Sequence, residues 1–342
     1  MRRGHEAGGM TMWREGLRQH RIWIAATLVG FAVLAVAPAV LTPFYVRVGA
    51  LFLFSAGLSL AWTILGGFAG YWSFGQTAFI GLGGFTAALL EPALHMRPSL
   101  LTLAIGAGAG GAVSALLAAV LAWPILRLRG IYFAVAMLGV AQVLAELTSN
   151  VDAIKGAMGI VLRRISPHGV PQHVLYYRLF LGLTFAILVI AFLIRISRLG
   201  QGLVSLREDE DTARMLGVPT ERYKVAMFVL SAALTGLLGA VYAHSLGYIT
   251  TDSVYRTDFS LDMIVYCLLG GIGTLVGPII GAALMTVLTQ VVLGELLSVH
   301  MFVTGALLVL LVLAAPRGLV GLFRRRVRPA PSGAVEPRPA GP

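Results

Sequence analysis

Residues 175–194 read Leu-Tyr-Tyr-Arg-Leu-Phe-Leu-Gly-Leu-Thr-Phe-Ala-Ile-Leu-Val-Ile-Ala-Phe-Leu-Ile, with one charge, Arg178. A bilayer's hydrocarbon core needs about 20 such residues per helix, at roughly 1.5 Å of rise each. A polar stretch, Arg195–Lys224, follows, and then a second apolar run, Val225–Tyr248. Span, charged loop, span is the pattern of a polytopic membrane protein. The whole chain agrees: of 342 residues 58% are hydrophobic and 12% charged, against about a quarter charged in soluble proteins. There is too little polar surface to coat a water-soluble body of this size.

Further apolar runs are Ile22–Leu41, Val48–Gly66, a Gly-rich Phe74–Leu90, Leu100–Leu121, Ile131–Thr148, the long Leu261–Leu293 and Met301–Ala315. Gly270-Gly271-Ile272-Gly273 and Gly277-Pro278 interrupt the long run, which predicts two helices. Pro278 fits the first turn of the second, where its missing N–H costs nothing. The fold class expected is thus an all-α polytopic membrane protein with about ten transmembrane or re-entrant helices. With both termini inside, 19 of the 26 Lys and Arg fall on the inner side; nine spans would put Arg324-Arg325-Arg326 outside, against the positive-inside tendency. The expected organisation is an inner tail over 1–21, a membrane domain over 22–322 with an inner loop at 195–224, and a disordered basic, Pro-rich tail over 323–342. The charged leader and long first run favour a retained anchor over a cleaved signal peptide, despite the small-x-small Ala35-Val36-Ala37.

The net charge of +11 would suggest nucleic acid in a soluble protein. In a membrane its position matters more, so lipid is the expected neighbour and nucleic acid is not. A single cysteine, Cys267, excludes a disulfide framework and a cysteine metal site. Small residues let helices in lipid approach closely. Ser231, Thr235, Gly239 and Ala243 lie on one face of their span; Gly273, Gly277 and Gly281 repeat the spacing; Gly106 and Gly110 pair in the fourth span. Ionisable residues in spans are the usual functional pointers. Here Glu146, one turn after Gln142, together with His244, Asp258 and Asp262, is expected near the outer interface, with no charged ladder across the membrane.

Phe68–Leu90 carries Gly70, Gly75, Gly81, Gly83 and Gly84. Gly in a helix interior costs about 1 kcal/mol relative to Ala. One reading is a broken helix lining a path for something small and amphipathic, with Tyr71, Ser73, Phe74, Gln76, Thr77 and Phe79 on its wall. The other is a turn followed by a packed Gly-rich helix.

The loop Arg195–Lys224 contains Glu208-Asp209-Glu210-Asp211, suited to the first turn of a short helix. Thr212–Leu216 would continue it, and Gly217 would stop it before Pro219. Such a helix is either a solvated connection or, with Met215 and Leu216 exposed beside charges, a docking element for another protein.

This loop is similar to the coupling loop of bacterial ABC-import permeases, a Glu-Ala-Ala motif with Gly after three more residues. The matching positions are Asp211, Thr212, Ala213 and Gly217, a degenerate match. The longer pattern resembles the branched-chain amino-acid permeases of the LivM type. It comprises Leu206-Arg207-Glu208-Asp209-Glu210, Leu216-Gly217, Arg222-Tyr223-Lys224 and Phe228-Val229-Leu230-Ser231-Ala232. Gly75 with Ala78-Phe79 and Gly81, Leu128-Arg129-Gly130 with Tyr132-Phe133-Ala134, and Leu269–Thr274 with Gly277-Pro278 belong to it too, so the match runs in order from about Gly66 to Ala283. Members often carry His where Gln76 stands and Glu where Gln142 stands.

The resemblance implies an ABC-importer permease fold in the bacterial plasma membrane. It also implies a second permease subunit of the LivH type, two ATP-binding cassette subunits and an extracytoplasmic substrate-binding protein. Branched-chain amino acids are the implied cargo, urea or another small amide the alternative, and a stand-alone secondary transporter the rival class. ATP with Mg would sit on the partner subunits: neither Lys155 nor Lys224 ends a Gly-rich phosphate loop. No catalytic or metal-binding cluster is spelled out, so an enzyme is not expected.

Overall fold

The computed structural model describes residues 21–93, 98–151, 158–163, 165, 169–292 and 305. Residues 1–20 of the expected inner tail, the expected C-terminal tail and, but for Gly305, the expected Met301–Ala315 span lie outside the described residues. Helix α1 (Arg21–Val36) is followed by α2 (Pro43–Trp62), which runs on through a π turn, Thr63–Gly67. Next come α3 (Gln76–Ala93), α4 (Leu100–Ile125), α5 (Ile131–Asn150) and α6 (Gln172–Ile196). The polar loop folds as α7 (Arg198–Glu208) and α8 (Glu210–Met215). After α9 (Thr220–Leu246) come short α10 (Thr251–Val254), then α11 (Thr257–Gly270) and α12 (Gly277–Val287). Two-residue strands β1 (Ile160–Val161) and β2 (Tyr248–Ile249) pair antiparallel, Ile160 opposite Ile249.

The chain is an all-α polytopic membrane protein. Five of these helices are long and apolar enough to cross a membrane: α2 with its π turn, α4, α5, α6 and α9. The long Leu261–Leu293 run divides as its Gly and Pro residues dictate, into α11 and α12 with Pro278 in the first turn of α12. Helix α9 forms the centre, packed on α3, α4 and α2; α6 backs α2, and α11 and α12 pair beside it.

Small residues set this packing. A Cβ on Gly110 would lie 2.7 Å from the Gly83 carbonyl oxygen, and one on Gly236 2.8 Å from that of Gly110. The backbones of α3, α4 and α9 therefore meet at Gly83, Gly110 and Gly236, the last unnoticed in the sequence. The Ser231–Thr235–Gly239–Ala243 face is fully buried; Gly239 abuts the Ile80 backbone and Ala243 faces Gly84. Gly277 and Gly281 do serve the α11–α12 contact, against the Gly270 and Tyr266 backbones. Gly273 does not share their face: it lies in the preceding turn at φ +73°, beside Arg207. A turn there needs a left-handed residue, which glycine supplies.

Of the four ionisable residues expected at an interface, Glu146 and Asp258 are exposed and Asp262 is half-buried. His244, two residues before the end of α9, is buried in the bundle.

Candidate functional site

The ends of several helices gather beside α7 and α8. Asp209 is the pivot of the local fold: it ends α7, and its Oδ1 accepts the Thr212 N–H at 2.6 Å, capping α8. The expected helix start at Glu208 is therefore corrected. Glu208 closes α7, and the acid run contains the cap rather than one continuous first turn. Glu210 and Asp211 occupy the true first turn, where negative charge favours the dipole. Helix α8 stops where expected: Gly217 has φ +81°, its N–H donates to the Arg214 carbonyl, and that of Val218 to the Ala213 carbonyl.

Helix α8 is fastened to the bundle through Glu210. Lys224 Nζ, on α9 and only 2% exposed, donates to Glu210 Oε1 at 2.8 Å and to Glu221 at 3.0 Å. Tyr71 Oη, from the segment before α3, donates to Glu210 Oε2 at 2.6 Å. Arg214 reaches Glu210 at 3.3 Å and Arg129, just before α5, at 3.6 Å. Arg129 also grips Asp211 with both guanidinium nitrogens, each at 3.0 Å, a fork geometry that fixes direction as well as distance.

These contacts set the local titration. Burial pushes the Glu210 carboxyl up, but the Lys224 and Tyr71 hydrogen bonds and nearby positive charge outweigh it, and its pKa lies below the usual value. The Arg129 hydrogen bond and charge lower Asp211, and the Thr212 hydrogen bonds lower Asp209. Burial, then the bond to Glu210, pushes the Tyr71 phenol up, so it stays a donor.

Helix α7 has its own tie. Arg207 Nη1 donates at 3.0 Å to the Gly67 carbonyl at the end of the π turn, and Arg195 donates to the Gly273 carbonyl. Carbonyls left over at these backbone irregularities are thus satisfied by cations from the loop. Of the expected docking residues, Ala213 is buried, whereas Met215 and Leu216 stand 80% and 73% exposed. Two apolar side chains project from a platform that charges hold in place.

The Gly-rich Phe68–Leu90 segment is a turn followed by a packed helix. Residues Gly70–Gly75 are irregular, and a continuous Gly-rich helix begins at Gln76. Tyr71 belongs to the Glu210 cluster. Gln76 Nε2 donates to Ser231 Oγ at 2.6 Å, which donates to the Ala61 carbonyl at 2.7 Å. The Thr77 N–H donates to Ser260 at 3.1 Å, and the Ser73 carbonyl accepts from the Trp62 indole at 2.9 Å. Phe79 packs edge-on to Phe228, and Phe74 is half-buried. These groups knit α2, α3, α9 and α11 together.

Helix α5 shows the other polar feature. Gln142, Glu146 and Asn150 are all exposed at i, i+4, i+8, along a shallow groove of about 310 Å³. The sequence paired Gln142 with Glu146; Asn150 completes the stripe.

A family profile described as branched-chain amino acid transport system / permease component matches residues 44–312. The chain belongs to this family. The permease is 28% identical to the high-affinity branched-chain amino acid transport system permease protein LivM of Escherichia coli, over 88% of its own length and 76% of the relative's. It is 28% identical to LivM of Salmonella typhimurium over 79% and 68% of the two chains. Likeness extends to the L-arabinose ABC transporter permease protein AraH of Azospirillum brasilense, 28% identical over 67% and 69%. No solved structure matches the chain. As an ABC-type permease it is a transport component rather than an enzyme.

Proposed function

We propose that the permease imports branched-chain, hydrophobic amino acids across the bacterial plasma membrane. In this scheme two cassette subunits bind ATP with Mg, a LivH-type permease completes the channel, and an extracytoplasmic binding protein supplies cargo. The α8 end then faces the cytoplasm, with both termini.

The observation that supports this reading above all is the anchored α8. A subunit that moves a membrane protein by closing on it needs a short, stiff handle with apolar tips. Met215 and Leu216 are such tips. Glu210 and Asp211 tie the handle to the start of α5, the segment before α3 and the start of α9. Displacement of α8 would therefore reach three elements at once. The polar α5 stripe suits the cargo route in this reading. Gln142 lies about 17 Å along the helix from its start, at a depth where a polar side chain facing lipid is costly. A second permease facing this stripe would leave a wet seam between them.

Similarity to LivM over most of the chain favours amino-acid cargo; similarity to AraH makes a sugar the specific competitor. The test is uptake by vesicles holding the permease, its partner permease and the cassette subunits. Leucine uptake should require ATP on the cassette side and the binding protein. Uptake by the permease alone, without ATP, would overturn the scheme. Screening the binding protein with leucine, arabinose and urea decides the cargo.

A further inference from the structure

The end of the bundle opposite α8 contains a cavity that plays no part in coupling. It measures about 410 Å³ and opens between the starts of α2 and α6 and the end of α9. Its floor is aromatic: Phe54 stacks on Tyr242 with centroids 4.3 Å apart, and Phe180 leans on Phe54 at 5.4 Å. Arg47, Gln172 and His173 stand among the remaining lining residues. Among the described residues no Asp or Glu lines it and Arg47 has no acidic partner. Helix α6 begins here without a side-chain cap, adding the positive end of its dipole.

We propose that this cavity binds an amphiphile with one anionic group on an apolar body, the anion at Arg47 and the apolar part on the Phe54–Tyr242 floor. The volume lies within the range of small-molecule sites, and an aromatic floor with a few polar groups is their usual lining. Where an unneutralised guanidinium sits over an apolar floor at the edge of a membrane, the complement is a carboxylate or phosphate, which Arg meets in bidentate geometry. A free amino acid carries an ammonium as well, which this lining would leave unpaired; the anionic group on an apolar body is therefore that of an anionic lipid. The inference goes beyond the coupling scheme and stands or falls separately from it.

The experiment uses the assembled complex. Native mass spectrometry compares retention of phosphatidylglycerol with that of zwitterionic phosphatidylcholine. Phosphatidylglycerol should be retained in preference, and Arg47→Gln should weaken its binding about tenfold or more. Arg47→Lys keeps the charge and should hold the lipid better than Arg47→Gln, which separates loss of the site from loss of the fold. Equal retention of the two lipids, or equal binding of phosphatidylglycerol by wild type and Arg47→Gln, overturns the proposal.

Discussion

Lys224 Nζ lies 2.8 Å from Glu210 Oε1, with the lysine side chain 2% and the glutamate side chain 10% exposed. This pair joins the second turn of α9 to the first turn of α8. A buried ammonium is tolerated only when it is paired and hydrogen-bonded, so each residue holds the other's element in place. Breaking a buried pair from one side costs about 3–5 kcal/mol, whereas replacing both partners is often neutral.

Glu210→Gln should therefore loosen α8 by about 2–3 kcal/mol, below the full range because Glu221 still reaches Lys224. Lys224→Met in the same background should recover part of that. Hydrogen exchange of the α8 amides measures both. Equal protection in wild type and Glu210→Gln would show the pair to be incidental.

At Gly217, φ +81° is a conformation that a β-branched residue resists. No neighbour lies within 4 Å of a Cβ there, so the penalty is conformational rather than steric. Gly217→Val should cost about 1 kcal/mol or more, leave membrane insertion intact and lower co-purification with the cassette subunits. Gly217→Asn, which adopts positive φ more readily, should lie between the two.

At Gly236 the penalty is steric. Any Cβ would enter the contact with Ser114 and the Gly110 carbonyl, where α4 meets α9. Gly236→Val should cost the bundle about 3 kcal/mol or more and appear as lost detergent-stable protein, not as uncoupled transport. Normal yield and melting temperature for this variant would contradict the close approach of the two backbones.

The pH dependence of the platform follows from its carboxylates. Asp209, Glu210 and Asp211 all have pKa values lowered by their partners. Groups lowered on folding contribute stability above their unfolded values, about 3.9 for Asp and 4.3 for Glu. That stability is lost only as pH falls through the lower folded values. Protection of α8, corrected for intrinsic exchange, should be level from about pH 8 to pH 5 and fall below about pH 4. A loss near pH 6 would point to a different titrating group.

Hydropathy sufficed for the long helices because lipid demands continuous apolar length, and Gly270-Gly271 with Pro278 sufficed to split α11 from α12. Helix starts were less legible. Helix α9 begins at Thr220, five residues before its apolar run, because Lys224 is neutralised by a glutamate from another element. The acid run 208–211 could not disclose which acid caps, since Asp209 and its neighbours offer the same chemistry; only the extended backbone at Asp209, between α7 and α8, decides it. The Glu210 cluster was hidden for a related reason. Tyr71, Arg129 and the Glu210–Lys224 pair come from three separate stretches, and no spacing rule joins them. Proximity in sequence groups Tyr71 with Gln76, yet one holds the loop and the other holds Ser231.

In the proposed scheme Met215 and Leu216 carry the contact with the cassette subunit. The direct measurement is ATP hydrolysis and leucine uptake by the reconstituted complex with Met215→Asp and Leu216→Asp together. Both side chains are exposed, so the fold should be unaffected. Insertion and melting temperature should stay normal, with cassette binding weakened about tenfold or more, and with stimulation of ATP hydrolysis by loaded binding protein and leucine uptake lost in parallel. A double variant that binds the cassette subunits and transports leucine like wild type would contradict it.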